Sequence, residues 1–156
     1  MKIRALAITA GLIGSLAAAG APAQAMDLTL GQPSLSARVA ITQPVTVSCA
    51  PFDPALTQAS AGVSVSVEQA SGKSIARGTG QLFNMFNSPL PFVCDGVHHD
   101  LTVDVLADPN GPPFHGGQVI VRAQASAAAG QSCGPGCFFN LVTDSASVGP
   151  TALKLH

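Results

Sequence analysis

Apolar and polar residues alternate one by one over most of this chain. The pattern is clearest over residues 97–105, where three valines, a leucine and a histidine alternate with a second histidine, a threonine and two aspartates. Successive side chains of a β-strand point to opposite faces of a sheet, so this period of two is typical of strands with one buried face. After residue 25, no segment combines a helical period with capping residues. The sequence therefore predicts an all-β protein.

The alternation predicts about seven or eight short strands with turn-forming residues between them. They are expected at residues 36–41, 45–49, 63–68, 73–79, 97–105, 119–125, 138–143 and 151–155. The alanine-rich run 123–129 has the composition of a helical turn, but it directly continues a strand and ends at Gly130. Many short strands separated by turn signals predict an antiparallel β-sandwich.

The first 25 residues have the features of a secretory signal. Lys2 and Arg4 precede an uncharged apolar stretch, and Ala-Gln-Ala at 23–25 is the small-x-small pattern that a signal peptidase accepts. The apolar stretch is interrupted by glycines and is shorter than the roughly 20 apolar residues of a transmembrane helix. We therefore expect a signal peptide over 1–25 and a secreted, extracellular protein.

After removal of the signal, we expect a loose N-terminal leader over residues 26–35 and a single β-sandwich domain over 36–156. Loss of Lys2 and Arg4 reduces the seven basic side chains to five, against eight acidic ones, so the formal charge becomes −3. Five scattered cations on an acidic surface cannot neutralise a row of phosphates. The charge therefore excludes nucleic acid and anionic membranes as partners.

The four cysteines all follow the signal, and an even number in an exported chain implies two disulfides. Three pairings of Cys49, Cys94, Cys133 and Cys137 are possible. A Gly-Pro-Gly turn separates Cys133 from Cys137, which makes a local bridge geometrically easy. That bridge leaves Cys49 to pair with Cys94.

Four short motifs stand out along the chain: Val45–Cys49, Val63–Val67, Ile75–Gly80 and Val93–Gly96. They resemble small exported immunoglobulin-like domains of unknown function that are common in actinobacteria, and the resemblance extends over about residues 36–155. It implies an immunoglobulin-like sandwich and brings no catalytic residues with it.

The tail is similar to a second family. Cys133-x-x-x-Cys137 followed by Asp144 and Gly149-Pro150 resembles the closing segment of neocarzinostatin-like apoproteins, which are immunoglobulin-like sandwiches that carry an enediyne chromophore. This resemblance implies a carrier of a small apolar ligand.

His98 and Asp100 share one face of the expected strand with Asp104, which makes this face a candidate metal site. One histidine and two carboxylates can hold a divalent cation. However, His98 and Asp104 are about 20 Å apart in an extended strand that advances roughly 3.3 Å per residue. We therefore expect a solvated strand face and no metal ligands, with His99 turned inward as a hydrogen-bonded histidine.

The usual patterns of catalytic residues are absent from the sequence. There is no Gly-x-Ser-x-Gly elbow, phosphate-binding loop or dinucleotide fingerprint, and the cysteines are expected in bridges. We expect no catalytic residues, no cofactor and no enzymatic activity. The alternative, a secreted enzyme of unrecognised type, would require a buried histidine beside a serine or aspartate in a pocket.

An apolar but irregular stretch over residues 82–92 is the candidate binding patch. Its members are Leu82, Phe83, Met85, Phe86, Leu90 and Phe92. So many apolar groups must either pack inward or meet a partner. We expect inward packing, with Phe83, Phe86 and Phe92 filling the core together with Phe114, and a binding patch is the alternative.

Together these features favour a monomeric, secreted binding or structural module that meets a protein or a small molecule. The carrier alternative would require a deep apolar cleft between residues 82–92 and the tail.

Overall fold

The computed structural model of the protein describes residues 25–36, 38–85 and 89–156, so the expected signal peptide lies outside the described residues apart from Ala25. The described chain is all-β, as predicted, with eight antiparallel strands and no helix in those ranges. The strands are β1 (Asp27–Leu30), β2 (Ser34–Ser36), β3 (Ala40–Ser48), β4 (Thr57–Ser71), β5 (Ser74–Met85), β6 (His99–Ala107), β7 (Gly117–Gly134) and β8 (Cys137–Leu155).

All eight strands belong to one hydrogen-bonded sheet, which curls nearly into a barrel. The order is β1-β3-β6-β5-β4-β7-β8, and β2 pairs with β3. The two ends of the sheet approach each other, because β1 contacts β8 and the amide of Leu35 donates to the carbonyl of His156 at 2.8 Å. The junction between β5 and β6 is narrow, with Gly78 opposite Ala107 and Thr79 opposite Leu106.

The inner face of the curled sheet forms the hydrophobic core, as the alternation predicts. Every second residue of β4 from Ala61 to Val67 is buried, and so is every second residue of β7 from Val119 to Ala129. Phe92 and Phe114 are fully buried, which confirms their predicted place in the core. Burial of each such large apolar side chain contributes about 1.5–3 kcal/mol to folding.

The segment 26–35 is not a loose leader, contrary to expectation. Met26 and Leu28 are each only 5% exposed, and Leu28 lies opposite Val47 in the pairing of β1 with β3. The strand is four residues long, and a single alternation of that length is a weak local signal. Its order comes from the partner strand and the core that it covers.

The strands predicted at 138–143 and 151–155 are continuous in β8, and the strand predicted at 45–49 begins earlier, at Ala40, in β3. The strand predicted at 36–41 is wrong in its first part, because Ser36 ends β2 and residues 38–39 form a turn in which Arg38 has a φ of 60°.

Gln43 lies within β3 although it is polar and fully buried. Its Nε2 donates to the carbonyls of Gly31 at 2.9 Å and Pro44 at 2.7 Å.

Both predicted disulfides are present. Cys49 pairs with Cys94 across 45 residues at a Cα–Cα distance of 4.8 Å, and Cys133 pairs with Cys137 at 5.2 Å across the local turn. Disulfides of this kind persist in oxidising environments, such as the cell exterior. Within the described ranges, no helix is long and apolar enough to cross a membrane.

Two glutamine side chains on β4 hold the long connections against the sheet. The amide of Gln69 donates to the carbonyl of His115 at 2.6 Å and accepts from its amide at 2.9 Å. Gln58 holds the connection that contains Phe92 and Cys94. Its Nε2 donates to the carbonyl of Phe92 at 3.2 Å, and its Oε1 accepts from the amide of Cys94 at 2.9 Å. Each side chain thereby replaces a strand partner for backbone that would otherwise lack one.

Candidate binding groove

A wide groove of about 830 Å³ lies on the outer surface of the sheet, away from the core. We call it the outer groove. It crosses β6, β5, β4, β7 and β8, and its outward-facing lining residues are Ser64, Ser66, Thr79, Gln81, Asp104, Leu106, Arg122, Gln124, Ser147 and Gly149. Most of these side chains carry hydroxyl, amide or charged groups, which lie among apolar atoms that make up slightly more of the lining surface.

Strand register brings the polar side chains of the groove together in a row. Ser64 on β4 lies directly opposite both Gln81 on β5 and Gln124 on β7. Gln124 in turn lies opposite Ser147 on β8. These four residues are called the central row, and at a strand spacing of about 4.8 Å they extend over about 14 Å.

The floor of the groove is formed by backbone beneath the central row. Val65 and Ala123 line the groove although their side chains are buried on the inner face. Gly80 lies opposite Val65, and a Cβ at this glycine would overlap the carbonyl of Asp104. The groove is therefore as deep as the outward side chains are long.

The amides of the central row differ from those of three other glutamines of the sheet. Gln43, Gln58 and Gln69 are used in hydrogen bonds that hold the fold. Within residues 25–36, 38–85 and 89–156, no hydrogen bond engages the side chains of Gln81 or Gln124. Each amide can donate two hydrogen bonds and accept others, so both are available to a ligand.

An exposed aromatic ring flanks the central row at one end. Phe83 is 56% exposed and follows Gln81 by two residues on the same face of β5. A smaller cavity of about 220 Å³ adjoins the ring and shares Ser64, Gln81 and Gln124 with the outer groove. The ring therefore stands beside three side chains of the central row.

At the opposite end of the groove, the positive charge of Arg122 is paired with a carboxylate. Arg122 donates to Glu68 at 3.2 Å, and Arg77 donates to the same carboxylate at 3.3 Å. The hydrogen bond from Arg122, and then the one from Arg77, holds the pKa of the Glu68 carboxyl below its usual value. Asp104, the carboxylate in the lining, accepts from the Thr42 hydroxyl at 3.2 Å. The groove thus contains one cation and one anion, each with a protein partner.

The apolar stretch 82–92 does not form one patch. Leu82 and Leu90 are half-buried against the core, Phe92 is fully buried, and Phe83 points outward into solvent. Met85 ends β5, and Phe86 lies outside the described residues. Alternation along β5 separates Leu82 from Phe83, so the expectation that Phe83 fills the core is wrong.

The histidine and aspartate cluster is dispersed over the surface. His98 is exposed ahead of β6, and Asp100 accepts from the Thr46 hydroxyl at 2.7 Å. His99 is partly buried, with its Nε2 3.0 Å from Asp95 Oδ1. In the part of the chain that the structure describes, no three histidine, cysteine or carboxylate side chains are close enough to hold a metal ion.

Sequence reasoning missed the central row. Alternation marked Ser64 and Gln124 as outward positions, but Gln81 lay beyond the strand expected at 73–79, and nothing local shows that the three face one another. Comparison with protein-family models, curated proteins and solved structures finds no match to this chain. The groove chemistry is therefore the basis for assigning a function.

Proposed function

We propose that this protein is an exported, non-catalytic binding module that holds a neutral polar ligand in the outer groove. The observation that carries this proposal is the central row, Gln81, Ser64, Gln124 and Ser147, whose hydroxyl and amide groups face solvent on a rigid sheet. A strand scaffold holds such groups in place before the ligand arrives, which reduces the entropy lost on binding.

The charges of the lining favour a neutral ligand. Arg122 is paired with Glu68, and Asp104 is paired with Thr42, so neither needs a ligand of opposite charge. Hydrogen bonds with an uncharged polar ligand would leave both pairs intact. The hydroxyl and amide groups of the central row also favour this ligand over the small apolar one carried by chromoprotein-like domains.

Export is part of the proposal. The signal-like residues 1–25 and the two disulfides both fit an extracellular site of action. Cleavage after Ala25 would leave Met26 as the first residue, directly before β1. N-terminal sequencing of the protein from culture medium should begin at Met26.

The proposal also includes an immunoglobulin-like sandwich. Along the hydrogen-bonded path, β1-β3-β6 and β5-β4-β7-β8 are joined through two residue pairs. Without β2, these strands correspond in chain order to A, B, C, C′, E, F and G, with A-B-E in one sheet and C′-C-F-G in the other. The outer groove would then lie mainly on the exposed face of the second sheet.

A blocking substitution tests the binding function. ¹⁵N-labelled protein is mixed with separated protein, polysaccharide and small-molecule fractions of the envelope and medium of the organism that makes it. We expect one fraction to shift the amide resonances of Ser64, Gln81 and Gln124. Ser64→Arg should abolish the shifts, because a long charged side chain would fill the centre of the groove.

The matched control is Thr29→Arg, which places the same side chain at an exposed strand position on β1. This variant should respond as the unsubstituted protein does. Binding that survives Ser64→Arg, or the absence of groove shifts with every fraction, would overturn the proposed function.

A further inference from the structure

We infer that the ligand of the outer groove is a neutral saccharide chain, with Phe83 as the platform on which a sugar ring stacks. This inference rests on the proposed function, since it names the class of ligand for the same groove.

The ring of Phe83 packs over a glycine of the neighbouring strand. The Cδ2–Cε2 side of its ring lies against Gly62, where a Cβ would overlap the ring. More than half of the side chain remains exposed, although burial of an aromatic group is favourable. The glycine therefore makes room for an aromatic ring beside the groove.

Sugar rings match such a surface. One face of a pyranose presents several C–H groups, which carry partial positive charge, and the face of a phenyl ring is negative. C–H contacts of this kind are weak individually, but they orient a ring parallel to the aromatic plane. An exposed phenylalanine beside a polar groove can thus bind the apolar face of a polar molecule.

The central row supplies the complementary hydrogen bonds. Gln81 is two residues from Phe83 on the same strand face, about 7 Å away, and Gln124 lies one strand beyond Ser64. Sugar hydroxyls both donate and accept, and a side-chain amide offers both functions from one planar group. A saccharide chain with one ring stacked on Phe83 would therefore present its hydroxyls to the side-chain amides of Gln81 and Gln124.

The size of the surface favours a chain over a single sugar. The central row alone extends over about 14 Å, and the row beside it begins with Phe83 and continues through Gly62 to Ser126 and Ser145. One ring on Phe83 would leave most of the row without contact. The paired Arg122 argues against acidic polymers, because its charge is already satisfied by Glu68.

Phe83→Trp provides a direct reporter, since the chain contains no tryptophan and no tyrosine. Phe139→Trp is the matched control, because Phe139 is also about half exposed but lies outside the groove lining. The probes are soluble α-glucan, β-glucan, mannan and chitin oligosaccharides, with polygalacturonate as the acidic comparison. We expect at least one neutral probe to shift the emission of Phe83→Trp saturably and to leave Phe139→Trp unchanged.

Two further variants separate stacking from simple apolar contact. Phe83→Leu retains an apolar side chain but has no aromatic ring. Gln124→Ala removes one side-chain amide of the central row. Calorimetric titration should show affinity at least ten-fold weaker for each, with far-ultraviolet dichroism matching the unsubstituted fold. Undiminished binding by Phe83→Leu would overturn the platform role.

The result for the ligand class can be separated from the result for the groove. No binding of any neutral probe, together with groove shifts caused only by a protein or small-molecule fraction, would overturn the saccharide inference and leave the proposed function standing. Tighter binding of polygalacturonate than of every neutral probe would overturn the choice of a neutral saccharide. No groove shifts with any probe or fraction would overturn both proposals.

Discussion

The ring of Phe83 lies against Gly62, which is its directly opposite neighbour in the pairing of β4 with β5. The missing side chain on β4 makes room for the large one on β5. This pairing explains how a phenylalanine that is more than half exposed can pack over the neighbouring strand. It also makes the two positions energetically dependent on each other.

We predict a strong coupling between substitutions at Gly62 and Phe83. Gly62→Ala should destabilise the protein, because the new methyl group displaces the ring. In a Phe83→Ala background the same change should be neutral or stabilising by about 0.5–1 kcal/mol, since alanine loses less backbone entropy than glycine on folding. A double-mutant cycle from urea unfolding should give a coupling of at least about 0.5 kcal/mol. Additive effects would show that the ring does not rest on the glycine.

The two disulfides should differ in their contribution to stability. Replacing Cys49 and Cys94 by alanine removes a bridge across 45 residues, worth about 4 kcal/mol in the loop-entropy treatment. Replacing Cys133 and Cys137 removes a bridge across 4 residues, worth about 2 kcal/mol in the same treatment. Thermal unfolding followed by far-ultraviolet dichroism should show the larger drop for the first pair. Equal drops, or the reverse order, would contradict this ranking.

The Gln69 amide should be required for the connection that contains His115. Gln69→Leu keeps a similar volume but leaves the amide and carbonyl of His115 without their partner, at a cost of about 2 kcal/mol. Gln118→Leu, at an exposed position of β7, is the control and should stay within about 0.5 kcal/mol of the unsubstituted protein. Chemical denaturation measures both. A cost at Gln69 no greater than at Gln118 would refute the role of this amide.

Strand β1 should contribute to global stability. Leu28→Ala creates a cavity between β1 and the core, with an expected loss of about 2–5 kcal/mol. Thr29→Ala, on the exposed face of the same strand, should cost less than about 0.5 kcal/mol. Urea unfolding of the two variants tests the difference. Similar, small effects would return the segment 26–35 to the status of a loose leader.

The turn before β6 should make stability depend on acid pH. Asp95 Oδ1 accepts from the Val97 amide at 2.9 Å and lies 3.0 Å from His99 Nε2. The hydrogen bond from Val97, and then the one with His99, lowers the pKa of the Asp95 carboxyl. Because the carboxyl has a lower pKa in the folded state, its ionisation stabilises the fold at pH values above the ordinary aspartate pKa of about 3.9. This contribution disappears as the pH falls through the lowered pKa.

Asp95→Asn tests that dependence, because asparagine keeps an acceptor oxygen and cannot ionise. The difference in unfolding free energy between the aspartate and asparagine proteins should be largest near neutral pH. It should shrink as the pH falls below the ordinary aspartate pKa of about 3.9. Urea titrations at a series of pH values measure it, and a difference that stays constant from neutral to acid pH would contradict the assignment.

Alternation by itself determined much of this protein. It identified the strands of an all-β chain and the inward valines of β4 and β7, and the cysteine spacing indicated which pairs are bridged. These features are local, since a strand residue faces the core or the solvent according to its position in the period of two. The irregular stretch 82–92 lacked that period, so Phe83 was assigned to the core in error.

Only the tertiary structure decided which strands are neighbours. Gln81, Ser64, Gln124 and Ser147 form a row because β5, β4, β7 and β8 adjoin in that order and in one register. The alternation within a strand determines which face turns inward and so restricts the register, but it does not identify the distant segment that becomes the neighbouring strand. The order of the short strand β1 has the same origin, because the neighbour β3 and the core beneath it supply the stability that four residues lack.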